Sequence, residues 1–205
     1  MNAAALAAVI RQKSAGRGRY IIALAGPPGA GKSTLSAALV ALLPGARAVP
    51  MDGFHYDDAV LNARGLRSRK GAPETFDVAG FAHLLGRLRA GGEVAIPVFD
   101  RSMELSRAAA DVVTDADRVL VVEGNWLLLD EGDWRGLATF FDLTVMIAVD
   151  EAELDRRLLA RWAHYGKTPA EARAWIDGND MPNIRRVVRG SIRADFVLEG
   201  DAPTP

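Results

Sequence analysis

Leu24-Ala25-Gly26-Pro27-Pro28-Gly29-Ala30-Gly31-Lys32-Ser33-Thr34 (residues 24–34) is the stretch of sequence that decides the fold. It matches the pattern G-x-x-x-x-G-K-[ST], follows the apolar run 20–24 and precedes a helical pattern that begins at Lys32. Its glycines let backbone N–H groups turn inward around phosphates, and the helix that follows directs its positive end at the same anion. Lys32 can reach the β- and γ-phosphates, and the Ser33 hydroxyl can ligate Mg²⁺. The stretch therefore predicts a nucleoside triphosphate site in which residues 26–34 contact the phosphates.

Composition sets the outer limits of the function. A length of 205 residues suffices for one α/β domain, and a formal net charge of −1 gives no overall attraction to nucleic acid or an anionic membrane. The absence of cysteine excludes disulfides, thiolate metal sites and cysteine nucleophiles, and it suits a reducing cytoplasm. No apolar run approaches the length of a membrane span. We expect a single cytoplasmic domain over residues 1–205 that neither binds nucleic acid nor inserts into a membrane.

The chain alternates short β-branched runs with helical patterns, which is typical of parallel βαβ units. This indicates an α/β fold with three layers and a mostly parallel sheet. Capping boxes are expected at Asp150 with Glu153 and at Thr168 with Glu171. The apolar spacing of residues 6–10 indicates a further amphipathic helix before the first strand. The predicted strands are 20–25, 47–51, 94–99, 118–123, 143–149 and 194–199, and the predicted helices are 32–43, 77–90, 151–165, 169–180 and 184–190.

Asp52 ends the second predicted strand and is the candidate catalytic base. Ligands of open parallel sheets bind beyond the carboxyl ends of the strands, which is where this carboxylate lies. Placed opposite a γ-phosphate, it can accept the proton of an attacking hydroxyl. Gly53 is expected to allow a close approach by the substrate. The alternative is an aspartate that only caps the following turn.

Glu123 ends the fourth predicted strand and is the candidate Mg²⁺ ligand, directly or through water. The run Leu127-Leu128-Leu129-Asp130-Glu131 shows a similar apolar-then-acidic pattern and competes with it. The β-branched residues before Glu123 suit a central strand better than this short leucine run. We therefore favour Glu123.

Asp100 and Arg101 follow the third predicted strand and point to the acceptor side of the cleft. Arg101 either binds substrate or pairs with Asp100, and the sequence leaves both alternatives open. Pro97 within this strand indicates a sheet edge or a bulge.

The predicted helix 151–165 carries Arg157, Arg161 and His164 on one face, at spacings i, i+4 and i+7. A lid over about 156–168 would bring such guanidinium groups to a phosphoryl group in transfer. The alternative is a solvated basic helix face.

A short basic cluster lies within an expected mobile acceptor-side segment at about 53–75. It would suit an acceptor with a phosphate or carboxylate, and a solvated loop explains it equally well. Its members are Arg64, Arg67, Arg69 and Lys70.

With these residues in place, the chain resembles the uridine kinase, phosphoribulokinase and pantothenate kinase group of P-loop kinases. Within that group it is most similar to bacterial fructose transport system kinases. The resemblance rests on segments 26–34, 51–55, 69–77, 97–100, 122–125 and 156–162.

The resemblance implies a P-loop NTPase fold with a helical lid, ATP as donor and Mg²⁺ as cofactor. It implies that Lys32 and Ser33 contact the phosphates and metal, that Asp52 is the base, that Glu123 lies near the metal and that Arg157 and Arg161 belong to the lid. It also implies a homodimer. The acceptor side would be formed by Asp52, Phe54, His55, Arg69, Asp100 and Arg101.

The leading functional hypothesis is a kinase that phosphorylates a hydroxyl of a small, sugar-like metabolite. Arg101-Ser102-Met103-Glu104 stands where uridine kinases place base- and ribose-recognition residues, which disfavours a nucleoside. A pantothenate-like acceptor and a non-catalytic nucleotide-binding module of a sugar transport system are the alternatives. A regulatory GTPase would need an N-K-x-D motif, and the chain has none. Asn183 and Arg185 are the candidates for adenine contact.

Overall fold

A parallel β-sheet forms the centre of the molecule, which the computed structural model describes over residues 1–200. Its strand order is β2-β5-β1-β6-β7, and each neighbouring pair is parallel. The predicted strands of this sheet are confirmed, with ends shifted by at most two residues. The strands of the chain are β1 (Tyr20–Ala25), β2 (Ala46–Pro50), β3 (Val94–Asp100), β4 (Leu105–Val113), β5 (Val119–Gly124), β6 (Leu143–Ala148) and β7 (Phe196–Glu199).

Helices cover both faces of this sheet and form the outer two of the three predicted layers. Strand β1 shows the reason, because its side chains alternate between two apolar cores. Ile21 and Ala23 pack in the core that contains Phe81, whereas Ile22 packs with Leu39 in the other core. The helices are α1 (Ala3–Ser14), α2 (Lys32–Leu42), α3 (Asp58–Ala63), α4 (Val78–Ala90), α5 (Glu151–His164), α6 (Pro169–Trp175) and α7 (Met181–Gly190), and a π turn (Ile176–Asp180) joins α6 to α7.

The two expected capping boxes have different outcomes. The box at Thr168 and Glu171 is confirmed, since each side chain bonds the backbone N–H of the other residue. The prediction of a box at Asp150 and Glu153 is wrong, because the Asp150 side chain makes no capping hydrogen bond. Glu153 instead accepts hydrogen bonds from two arginines of its own helix. Ion pairing along α5 has replaced the cap.

Strands β3 and β4 form an antiparallel hairpin outside the parallel sheet. The predicted strand at 94–99 exists, but it pairs with β4, which the sequence did not reveal. Residues 107–110 of β4 are exposed and include three consecutive alanines, so they lack the alternation that predicts a strand. The register shifts between Ile96 and Val98, which confirms the bulge expected at Pro97.

No helix within residues 1–200 is both long enough and apolar enough to cross a membrane.

Candidate active site

The segments that follow β1, β2 and β5 meet at one edge of the sheet. Strand register places Ala25 beside Gly124 and Pro50 beside Glu123, so the carboxyl ends of the three strands lie together. A cleft of about 490 Å³ opens there. Several of the predicted residues line it, among them Lys32, Ser33, Asp52 and Glu123.

The loop between β1 and α2 has the backbone that the sequence predicts. Gly29 and Gly31 have φ values of 82° and 90°, in the left-handed region that favours glycine. The Lys32 ammonium donates hydrogen bonds to the carbonyl oxygens of Gly26 at 3.0 Å and Pro27 at 2.9 Å. Burial lowers the pKa of Lys32 to about 8, against the opposing charges of Asp52 and Glu123. The lysine is therefore mostly charged at neutral pH, and its ammonium group is held by carbonyl groups of the phosphate loop.

Ser33 and Glu123 present two oxygen atoms side by side. The Ser33 hydroxyl donates a hydrogen bond to a Glu123 carboxylate oxygen at 2.9 Å. Burial raises the pKa of Glu123, although the Ser33 hydrogen bond and the charge of Lys32 act in the other direction. Oxygen donors of this kind are those that Mg²⁺ prefers in phosphate-binding sites, so the pair fits that ion.

The competing run at residues 127–131 does not contribute to the cleft. Its leucines, residues 127–129, are buried in the apolar core. Asp130 pairs with Arg135, and Glu131 pairs with Arg186. Neither carboxylate lines the cleft, because both are held by arginines outside it.

Asp52 lies in a 3₁₀ turn (Met51–Phe54) directly after β2. The Arg101 guanidinium donates a hydrogen bond to its carboxylate at 2.5 Å. Burial opposes ionisation, yet His55, Arg101 and Lys32 together hold the pKa of Asp52 below its usual value. The carboxylate is therefore ionised at neutral pH. Arg101 pairs with this aspartate, whereas Asp100 accepts hydrogen bonds from the backbone of the turn at 102–103.

The backbone of the protein itself approaches Gly53 closely. A Cβ atom at this position would lie 2.4 Å from the carbonyl oxygen of Pro97 in β3. The glycine lets the β3–β4 hairpin pack against the turn that carries Asp52, and this packing brings Arg101 to the carboxylate.

Two arginines of α5 border the phosphate loop. Arg157 is mostly buried, pairs with Glu153 at 2.7 Å and donates a hydrogen bond to the Gly29 carbonyl at 3.3 Å. Arg161 lines the cleft itself, and Arg157 with Thr34 borders the adjacent outer side of the loop. His164, on the same predicted face, is exposed and does not line the cleft.

Of the six residues predicted for the acceptor side, three do not line the cleft. Phe54 packs against Phe81 in the core, with ring centroids 5.0 Å apart. Arg69 turns to Glu74 at 3.6 Å, and Asp100 is occupied in its own turn. The other three, Asp52, His55 and Arg101, do line it. The His55 ring lies against Phe76, with ring centroids 4.0 Å apart.

The two candidates for adenine contact are separated. Asn183 is buried and lines the cleft next to Asn179. Arg185 pairs with Glu151 at 2.7 Å and lies outside the cleft lining. These positions give no common surface for a base.

Sequence reasoning missed part of the cleft wall. The spacing of Trp162 and Tyr165 with Leu154 and Leu158 predicts only the apolar side of a helix, and no local pattern predicts that residues of α6 and the π turn line the cleft. Asn179 and Asp180 stand in a mixed helical pattern that also contains Glu171, Arg173 and Asp177, so nothing in the local sequence singles them out. Arg67 and Lys70 of the predicted basic cluster and Lys167 of the predicted lid do line the cleft. The wall residues to which the sequence assigned no role in the site include Glu104, Trp162, Tyr165, Trp175, Asn179 and Asp180.

Comparisons with known proteins agree with this geometry. The family described as "Phosphoribulokinase / Uridine kinase family" matches residues 21–199. The crystal structure of a proposed fructose transport system kinase from Silicibacter sp. TM1040 is similar with a TM-score of 0.93 and 41% identity, over 97% of this chain and 99% of that chain. The protein YggC of Escherichia coli (strain K12) is 39% identical over 88% of this chain and 78% of its own length. A pantothenate kinase of Sorangium cellulosum (strain So ce56) is 34% identical over 90% of this chain and 70% of its own length.

Proposed function

Because the chain belongs to the phosphoribulokinase / uridine kinase family, we propose that it transfers the γ-phosphoryl group of ATP to a hydroxyl group of a small metabolite. The observation that carries this proposal is the position of Lys32, Ser33, Glu123 and Asp52 around one cleft at the carboxyl edge of the sheet. The first three residues suit a polyphosphate with its metal, and the fourth suits a hydroxyl that must lose a proton.

The phosphate side of the reaction uses the loop at residues 26–34. Backbone N–H groups of the loop bind the phosphates, and Lys32 exchanges its two carbonyl partners for phosphate oxygens. Ser33 and Glu123 would hold Mg²⁺, which neutralises charge on the phosphates when it is bound. Arg157 and Arg161 offset the negative charge that spreads over the phosphoryl oxygens during transfer.

Asp52 acts on the acceptor. The hydroxyl oxygen forms a bond to the γ-phosphorus while the bond from this phosphorus to the bridging oxygen of ADP breaks, and the hydroxyl proton passes to Asp52. Arg101 holds the same carboxylate in the structure. The acceptor hydroxyl must therefore share or replace that hydrogen bond.

We favour a sugar-like acceptor, with a nucleoside or a pantothenate-like acid as alternatives. A non-catalytic nucleotide-binding module of a sugar transport system is the candidate from another class. The description of the Silicibacter relative as a fructose transport system kinase names a transport system as well as a kinase, and only the first part suits such a module. We further propose that the chain is one domain located in the cytoplasm, where a cysteine-free protein loses no stability. The homodimer implied by the resemblance stays a prediction, which light scattering tests.

Release of ADP across a panel of sugars, polyols, nucleosides and pantothenate tests the proposal. A kinase gives acceptor-dependent release, and Asp52→Asn lowers that turnover by about 10²-fold or more without weakening ATP binding. If ATP binds but no compound raises release above the background with water, the regulatory module is favoured. Unchanged turnover in Asp52→Asn would remove this residue from the mechanism.

A further inference from the structure

The segment from α5 to α7 supplies a part of the cleft wall that the phosphoryl-transfer steps do not use. Asn179, Asp180 and Asn183 line the cleft there, with exposed fractions of only 3%, 7% and 2%. Trp162 and Trp175 line the cleft beside them. We call these five residues the Asp180 subsite.

The irregular backbone of this segment places the polar residues at the cleft. The π turn (Ile176–Asp180) inserts an extra residue per turn between α6 and α7. The same turn buries Ile176 in the apolar core, while Asn179 and Asp180 line the cleft. Such turns occur frequently at functional sites, because they redirect side chains that a regular helix would place elsewhere.

The two asparagine side chains of the subsite donate hydrogen bonds along a short chain that leaves one side-chain oxygen without a donor. The Lys70 carbonyl accepts a hydrogen bond from the Asn179 amide nitrogen at 2.9 Å, which fixes the orientation of that amide. The Asn179 side-chain oxygen then accepts from the Asn183 nitrogen at 3.4 Å. This leaves the buried Asn183 side-chain oxygen without a donor among residues 1–200. A buried acceptor without a donor lowers the free energy of unfolding unless a ligand or water supplies the missing hydrogen bond.

Asp180 adds carboxylate oxygens to the same surface. One of them accepts a hydrogen bond from the Trp162 indole nitrogen at 2.7 Å. Burial raises the pKa of Asp180 to about 6, against the Trp162 hydrogen bond and the charges of Arg161 and Lys167. At neutral pH the group is therefore an ionised acceptor with capacity for further donors.

The charges near the subsite do not favour an anionic ligand. Arg67 and Lys70 both pair with Asp58 at 2.7 Å, and Lys70 also approaches Glu104 at 3.5 Å. These two cations are thus already neutralised by protein carboxylates. Lys167 lies over the rings of both tryptophans, each at 5.4 Å, and its charge balances that of Asp180. Arg161 also acts on Asp180, but its charge is assigned to the transferred phosphoryl group in the proposed reaction.

The side-chain oxygens without enough donors, the balanced charge and the aromatic walls together indicate which kind of ligand fits the subsite. Hydroxyl groups supply the donors that Asp180 and Asn183 lack, and the C–H faces of a polyhydroxylated compound suit the indole rings. We propose that Asp180 binds and orients the phosphoryl acceptor, and that this acceptor is an uncharged polyhydroxylated compound of the sugar or polyol class. This inference rests on the proposed kinase function and deepens it.

Steady-state kinetics of Asp180→Asn test the proposal, with fructose, ribose and glycerol as uncharged acceptors and glycerate, pantothenate and uridine as the competing classes. We expect turnover with at least one uncharged polyhydroxylated compound. The substitution should raise the KM for that compound about tenfold or more, because a neutral amide accepts more weakly than a carboxylate. Both kcat and the KM for ATP should stay within about twofold of the wild type.

Asp177→Asn is the matched control. Asp177 belongs to the same π turn, but it is exposed and pairs with Arg173 at 3.1 Å. Its substitution should leave the KM of the acceptor unchanged. If Asp180→Asn does not fold, as judged by thermal unfolding, Asn183→Leu provides the second variant and should also raise the acceptor KM.

Calorimetric binding of the same compounds separates this inference from the proposed function. If an uncharged polyol binds the wild type but not Asp180→Asn, and no compound is phosphorylated, the subsite stands and the kinase proposal fails. If a compound is phosphorylated but its KM does not change in Asp180→Asn, the kinase stands and the subsite is refuted. A preference for glycerate, pantothenate or uridine, or no binding by any compound, also refutes the subsite.

Discussion

The charge state of Lys32 predicts how ATP binding depends on pH. In the free protein burial lowers the pKa of this lysine to about 8. Bound phosphates favour the charged form, so the pKa rises on binding and the site takes up a proton when the pH is above 8. Raising the pH from 7 to 9 lowers the charged fraction of Lys32 from about 0.9 to about 0.1, given its pKa of about 8. The Kd for ATP should therefore increase about tenfold over this interval.

Calorimetric titration with Mg-ATP in two buffers of different ionisation heat measures both the Kd and the proton uptake. We expect uptake of about 0.9 proton at pH 9 and about 0.1 proton at pH 7. Lys32→Arg is the control, because a guanidinium stays charged over this range and its weaker binding should not vary with pH. A wild-type Kd that is constant from pH 7 to 9, without proton uptake, would refute the account of Lys32.

Three further substitutions test other parts of the site. Arg101→Gln removes the positive charge beside Asp52 and should raise the pKa of that carboxyl. The acidic limb of the plot of kcat/KM against pH should therefore move to higher pH, and a limb that does not move would contradict the pairing. Arg161→Ala should lower kcat by about 10²-fold or more, whereas Arg156→Ala, which breaks only an exposed ion pair, should change it less than about twofold. Equal effects of the Arg161 and Arg156 substitutions on kcat would argue against the proposed lid role of Arg161. Gly53→Ala should lower the free energy of unfolding by about 1–3 kcal/mol in urea titrations, because its Cβ would meet the β3 backbone; unaltered stability would contradict that packing.

Features that depend on local sequence could be predicted. The phosphate loop needs glycines at set spacings and a strand before it, and the five strands of the parallel sheet are nearly continuous apolar runs. The convergence of Asp52 and Glu123 follows from a general property of parallel sheets, since both residues end neighbouring strands. These are the parts of the site that the sequence analysis placed in the cleft.

Features that depend on packing between distant segments could not be predicted. Arg101 pairs with Asp52 rather than Asp100 because the hairpin formed by β3 and β4 packs on Gly53, and nothing in the local sequence of β4 indicates that hairpin. The positions of Asn179 and Asp180 follow from a π turn, which has no reliable sequence pattern.

The central claim is that Asp52 prepares an acceptor hydroxyl for attack on a phosphoryl group held by the Lys32 loop. A crystal structure with Mg²⁺, a non-hydrolysable ATP analogue and the acceptor found by the panel tests it most directly. We predict that one acceptor hydroxyl lies within about 2.6–3.2 Å of an Asp52 carboxylate oxygen and about 3–3.5 Å from the γ-phosphorus, in line with its bond to the leaving oxygen. An acceptor bound with its hydroxyl groups away from Asp52, or a triphosphate bound outside the Lys32 loop, would contradict it.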